Sequence, residues 1–122
     1  MQKTLVIGAS VKSNRYSYMA IKRLEEKSIE TEAFGLKEGV VHGVQIKTNF
    51  SEFENIHTVT LYLNPKRQIE YYNQIINLAP KRVIFNPGTE NPDFYKLLRQ
   101  KGIEVEIACT LVLLGTDQYG EL

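Results

Sequence analysis

The 122-residue chain has no tryptophan and one cysteine, Cys109. A lone cysteine cannot close an internal disulfide, so a reducing compartment is the expected setting and the fold must stand on packing. There are two histidines, His42 and His57, and neither they nor Cys109 fall at metal-ligand spacing, so no metal is expected. Charge of one sign is also missing. Fifteen basic residues face fourteen acidic ones, for a net charge of +1, which gives no electrostatic reason to expect nucleic acid. The longest apolar runs are Leu5-Val6-Ile7 and Leu111 to Leu114, far short of the ~18 residues that span a membrane. Met1-Gln2-Lys3-Thr4 leads straight into a strand-like run, with no sign of a secretory leader. Repeats and Pro/Gly/Ser-rich linkers are absent too. Residues 1–122 are therefore expected to form one cytoplasmic domain.

What is present is ordinary globular composition, 43% hydrophobic and 24% charged, arranged in alternating strand and helix patterns. Thr4 to Ile7, Glu30 to Phe34, Thr58 to Leu63, Arg82 to Phe85 and Ile103 to Ala108 read as five strands. Between them, Ser17, Ala20, Ile21 and Leu24 fall on one helical face. Ile69, Tyr72, Ile75, Ile76 and Ala79 make a second stripe, stopped by Pro80, and Phe94, Leu97 and Leu98 mark a third, ended by Gly102. The stretch from Gly35 to His57 has no helical stripe. It reads as a loop with a short strand near Val44 to Ile46 and a helical turn near Phe50 to Phe53. Thr110 to Leu114 reads as a short helix or an extra strand. Strand–helix alternation predicts an α/β fold, a doubly wound parallel sheet with helices on both faces.

In such a sheet ligands bind outside the carboxyl ends of the strands. The loops there read Gly8-Ala9-Ser10-Val11-Lys12, Gly35-Leu36-Lys37, Asn64-Pro65-Lys66, Asn86-Pro87-Gly88-Thr89 and Cys109-Thr110. Any one of them is also an unremarkable turn; five on one edge suggest a site. In the first loop, small residues precede a helix amino terminus, and Lys12 and Arg15 add positive charge, an arrangement that suits a pyrophosphate. Only Gly8 remains of G-x-G-x-x-G, so a plain strand-to-helix turn with solvated cations stays open. After the second strand a nicotinamide domain usually carries an acidic residue for the ribose hydroxyls. Here Lys37 stands instead. It suits a phosphorylated ribose, as in NADP or coenzyme A, or is a solvated loop lysine.

Catalytic equipment is scarce. Neither histidine falls at a strand's carboxyl end. Cys109 reads as a small hydrophobe. Glu90 has no evident partner for acid–base work. No residue is assigned a catalytic role.

Taken together, V-I-G-A-S with Lys12, Asn14-Arg15 and Ser17, G-L-K at Gly35 to Lys37, L-Y-L-N-P at Leu61 to Pro65, V-I-F-N-P-G at Val83 to Gly88 and A-C-T at Ala108 to Thr110 resemble the coenzyme A-binding family of small standalone Rossmann-like domains. These are similar to the nucleotide-binding domain of the succinyl-CoA synthetase α subunit. The resemblance implies a five-stranded parallel sheet of order 3-2-1-4-5, with Gly8 at the switch point and coenzyme A or an acyl-CoA across the strand ends. It implies Gly8, Ala9, Ser10, Lys12 and Arg15 around the pyrophosphate, and Gly35, Leu36 and Lys37 at the adenosine and its phosphate. Leu63, Asn64, Pro65 and Gln68 would border the adenine or pantetheine, and Asn86, Pro87 and Gly88 the pantetheine arm. Many relatives have Asn-Pro where this chain has Gly35-Leu36.

The related ligases use a phosphorylated histidine from a further domain, and this sequence has no histidine after His57. The expectation is a non-catalytic coenzyme A or acyl-CoA binding or regulatory module. The alternatives are a ligand-free protein-interaction domain using Tyr62, Tyr71, Tyr72, Tyr119 and Leu111 to Leu114, and a small NADP-dependent oxidoreductase.

Overall fold

The computed structural model describes residues 2–120; Met1, Glu121 and Leu122, the ends of the expected 1–122 domain, lie outside the described residues. Seven strands form one sheet: β1 Lys3–Ile7, β2 Thr31–Phe34, β3 Gly39–Val41, β4 Val44–Lys47, β5 Ile56–Leu61, β6 Arg82–Phe85 and β7 Glu104–Ile107. Their order is β3-β4-β2-β1-β5-β6-β7. All neighbours are parallel except β3 and β4. The helices are α1 Tyr16–Glu26, α2 Pro65–Gln68, α3 Tyr72–Asn77, α4 Pro92–Gln100 and α5 Thr110–Gly115.

The fold is α/β and Rossmann-like with a mostly parallel sheet, but the expected five strands in the order 3-2-1-4-5 are corrected to seven. The strand expected at 58–63 does not lie beyond the second strand. It is β5, and it pairs with β1 on the other side. The place beyond β2 belongs to β4, which pairs with it in parallel through Ala33–Ile46 and Phe34–Lys47. The reason is local. Val44 and Ile46 alternate with exposed Gln45, enough apolar surface for a sheet position. His42 and Gly43 both have positive φ, 46° and 83°, so a two-residue turn folds β3 back on β4 as a hairpin.

Neighbouring residues on each strand face opposite ways. Leu5, Ile7, Val59, Leu61, Val83 and Phe85 pack under Ile75, Phe94 and Leu98 of α3 and α4. Val6, Ala33, Ile46 and Ile84 pack under Ile21 and Leu24 of α1 and Leu114 of α5. The second face also carries a buried polar seam. Arg82 donates from Nε to Thr58 (3.0 Å), from one terminal nitrogen to Glu106 (2.9 Å) and from the other to the Tyr119 carbonyl (2.6 Å). Its guanidinium stacks on the Tyr119 ring, and the Tyr119 and Thr4 hydroxyls share a 2.6 Å hydrogen bond. Every Arg82 nitrogen has an acceptor, the condition under which a buried cation is tolerated.

The single helix expected over Ile69 to Ala79 is instead broken. Asn64 caps α2 through Arg67 N, a 3-10 turn follows at Ile69–Tyr71, and α3 ends before Ala79, whose φ is +49°. The helical turn expected near Phe50 is a 3-10 turn at Phe50–Glu52. Of the two readings of Thr110 to Leu114, the helix is the one formed.

Candidate functional site

The carboxyl ends of β1, β2, β5 and β6 open into one cleft of about 630 Å3. Its floor is the loop after β1. Gly8 has φ +93°, and a Cβ there would lie 3.1 Å from the Tyr62 carbonyl carbon, so the backbone closes on the β5 end in a way only glycine permits. The Gly8 and Ala9 amides both donate to the Phe34 carbonyl, which ties this loop to the end of β2. Lys12 N donates to Ser10 Oγ. The chain then enters α1 with no side-chain cap and no acidic residue in its first turn. Among the described residues, the Tyr16 and Ser17 amides have no protein acceptor. Both residues line the cleft.

Of the residues singled out from sequence, Gly8, Ala9, Ser10, Lys12, Arg15, Leu36, Lys37, Leu63, Asn64, Pro87 and Gly88 line this cleft. Gly35, Pro65, Gln68 and Asn86 do not; they stand behind its walls. A Cβ on Gly35 would collide with the Ala9 carbonyl oxygen. Pro65 opens α2. Gln68 is fully buried. Its Nε2 donates to the Leu63 and Thr89 carbonyls, 2.8 Å each, while its Oε1 accepts from Asn91. It therefore fastens the loop after β5 to the loop after β6. Asn86 donates to Thr60 and the Leu61 carbonyl, and its Oδ1 accepts from Thr110 N at 2.8 Å; it anchors the start of α5.

Val11, Tyr16, Ser17, Tyr62, Arg67 and Thr89 also line the cleft; Tyr62 lies in the Leu61 to Pro65 stretch that the sequence already places there, and Tyr16 and Arg67 are additions. Val11 and Thr89 lie within loops already recognised. Arg67 reads in sequence as a solvated helix residue. Its signal is that it follows the N-cap Asn64 by three residues, which keeps it in the first turn of α2 beside the end of β5.

Lys12, Arg15, Lys37 and Arg67 line the cleft, and among the described residues no carboxylate does. Among the described residues, none of the four forms an ion pair. Unopposed cations beside an uncapped helix amino terminus favour an anionic ligand. Tyr62 is held differently. Its buried hydroxyl lies by Thr60 and Thr110 without a well-formed hydrogen bond. Burial, with a lesser push from nearby Cys109, drives its pKa well above the usual phenol range. It is a neutral wall residue. Cys109 is half-buried at the start of α5, off the cleft wall. Glu90 accepts from Gly88 N at 2.8 Å. His42 packs edge-on to Tyr18, and His57 lies against Thr58. Among the described residues, no cluster could hold a metal ion, and no helix is long and apolar enough to cross a membrane.

A cationic cleft at the carboxyl edge of a Rossmann-like sheet defines the class: an α/β domain equipped to receive an anionic ligand. The family model described as the CoA binding domain matches residues 2–115, and the chain belongs to that family. The crystal structure of an uncharacterized protein is 47% identical, with a TM-score of 0.93 over 97% of this chain and 98% of that one. A hypothetical protein of Pyrococcus horikoshii OT3 is 25% identical, with a TM-score of 0.85 over 98% of this chain and 84% of that one. An oxidoreductase of Bacillus cereus is 20% identical, with a TM-score of 0.61; the likeness covers 87% of this chain but 34% of that protein, and shows the fold alone. No curated protein matches the sequence.

Proposed function

We propose that the protein binds coenzyme A or an acyl-CoA in this cleft, as a non-catalytic binding or regulatory module. The observation that carries the reading is the set of unpaired cations, Lys12, Arg15 and Lys37, on two adjacent loops beside the amino terminus of α1, in a chain of the CoA-binding family. In this reading the diphosphate lies over Gly8, Ala9 and Ser10, held by the free amides of α1, Lys12 and Arg15. Lys37 meets the phosphate on the ribose, and Gly35 leaves room for the two loops to close on each other. The pantetheine arm runs past Leu63, Asn64, Pro87 and Gly88. Gln68 and Asn86 keep those loops in place without touching the ligand.

Thermal unfolding tests this reading. A ligand held only by the folded state adds roughly 2.7 kcal/mol at 100 times its dissociation constant, which for a domain of this size is a rise of several degrees. Coenzyme A should raise the midpoint, and dephospho-coenzyme A should raise it less. Lys37→Ala should narrow that difference, because only the full cofactor carries the ribose phosphate. An equal or larger rise with NADP would favour the oxidoreductase reading. No rise with any of the three at millimolar concentration would leave a protein-interaction domain.

A further inference from the structure

We infer that Arg67 selects an acyl group that ends in a carboxylate, so that the ligand is a carboxyacyl thioester of coenzyme A. The inference rests on the coenzyme A reading and adds the chemistry of the acyl end. Sheet order sets the order of the loops along the cleft: Lys37 after β2, Lys12 and Arg15 after β1, Arg67 after β5, then Gly88 and Thr89 after β6. The first three cations match the ribose phosphate and the diphosphate. Arg67 stands on the other side of the β1 loop from Lys37, toward the end where the pantetheine arm and its acyl group would lie.

The donors of the loop after β6 are already occupied. Gly88 N is taken by Glu90, and both the amide and the hydroxyl of Thr89 by the Asn86 carbonyl. Pro87 has no N–H. The Arg67 guanidinium is exposed, without an ion pair among the described residues, and carries five donors in a fork that fits a carboxylate. Its turn is held firmly. Arg67 N bonds to Asn64 Oδ1 at 3.0 Å, and the next residue, Gln68, is locked between the two loops. A fork with no partner, carried on a fixed turn at the acyl end, is a reader of a terminal carboxylate, and a simple acyl chain would leave it idle.

A matched pair of stable thioethers tests this by calorimetric titration: S-(2-carboxyethyl)-coenzyme A and S-propyl-coenzyme A. The wild-type protein should prefer the carboxylate ligand by about tenfold, the factor that one charge-assisted hydrogen-bonded pair supplies. Arg67→Gln should bring the ratio close to one, and Arg67→Lys should restore part of it. A wild-type ratio near one overturns the inference, as does a ratio that survives in Arg67→Gln while both ligands weaken together, which would assign Arg67 to the diphosphate. In both of those outcomes coenzyme A binding itself stands. Failure of every coenzyme A derivative to bind would instead overturn the reading of the cleft and this inference with it.

Discussion

At the scale of single residues, His57 shows how burial tunes a group that sequence leaves ambiguous. Its Nδ1 lies 2.8 Å from the Thr58 hydroxyl, and that hydroxyl already accepts from Arg82. The threonine proton is thereby free to point at the imidazole, which accepts it in its neutral form. Burial first, then the positive charges of Arg82 and Lys81, lower the His57 pKa below the usual 6.5; Glu104 opposes them more weakly. The unfolded chain therefore takes up a proton at higher pH than the folded one. The contribution of His57 to stability is complete above pH 6.5 and is lost as pH falls through the lower folded value. Urea unfolding between pH 7.5 and 5.5 should show the wild type losing stability toward acid, and His57→Gln losing less. Parallel slopes for the two proteins would show that His57 titrates alike in both states.

Among the elements, the strands on either side of the switch point were legible because apolar runs closed by glycine or Asn-Pro leave few readings. Of the β3–β4 hairpin, the short strand near Val44 to Ile46 was legible, but β3 and the place of the pair in the sheet were not. The hairpin's strands are three and four residues long, and its turn uses His42 at a positive φ where Asn or Asp would have been the sequence signal. That omission displaced the expected order by one position. Five loops on one edge could be read from punctuation alone. Gln68 and Asn86 could not be separated from residues that face the cleft, since a polar side chain beside a turn reads the same whether it faces ligand or fastens a neighbouring carbonyl. Asn86 does the second, joining β5 to the first turn of α5. Asn86→Ala would strand the buried Leu61 carbonyl and the Thr110 amide, while the Thr60 hydroxyl keeps the Thr110 hydroxyl, at a cost of about 2–3 kcal/mol. A urea midpoint lowered accordingly, with the loss concentrated in amide-exchange protection of α5, is the expected result; unchanged protection there would mean that α5 is held by its apolar contacts alone.

For the whole molecule, a nearly neutral chain gathers four unpaired cations and an uncapped helix at one edge of its sheet. Net charge hides this, because none of the described acidic residues lines the cleft: Glu32 pairs with Lys3 and Lys47, Glu106 with Arg82, and Asp117 with Lys27. At this scale the proposed function is a separation of charge by the fold. Binding should weaken with salt, though less for any ion pair shielded in the cleft. Titration of coenzyme A into the purified protein at low ionic strength, beside a Lys12→Ala/Arg15→Ala variant of unchanged melting temperature, tests the central claim most directly. One saturable site per chain, weakened at least tenfold in the variant, is the result predicted. No saturable binding at millimolar ligand, or binding undiminished in the variant, would contradict it.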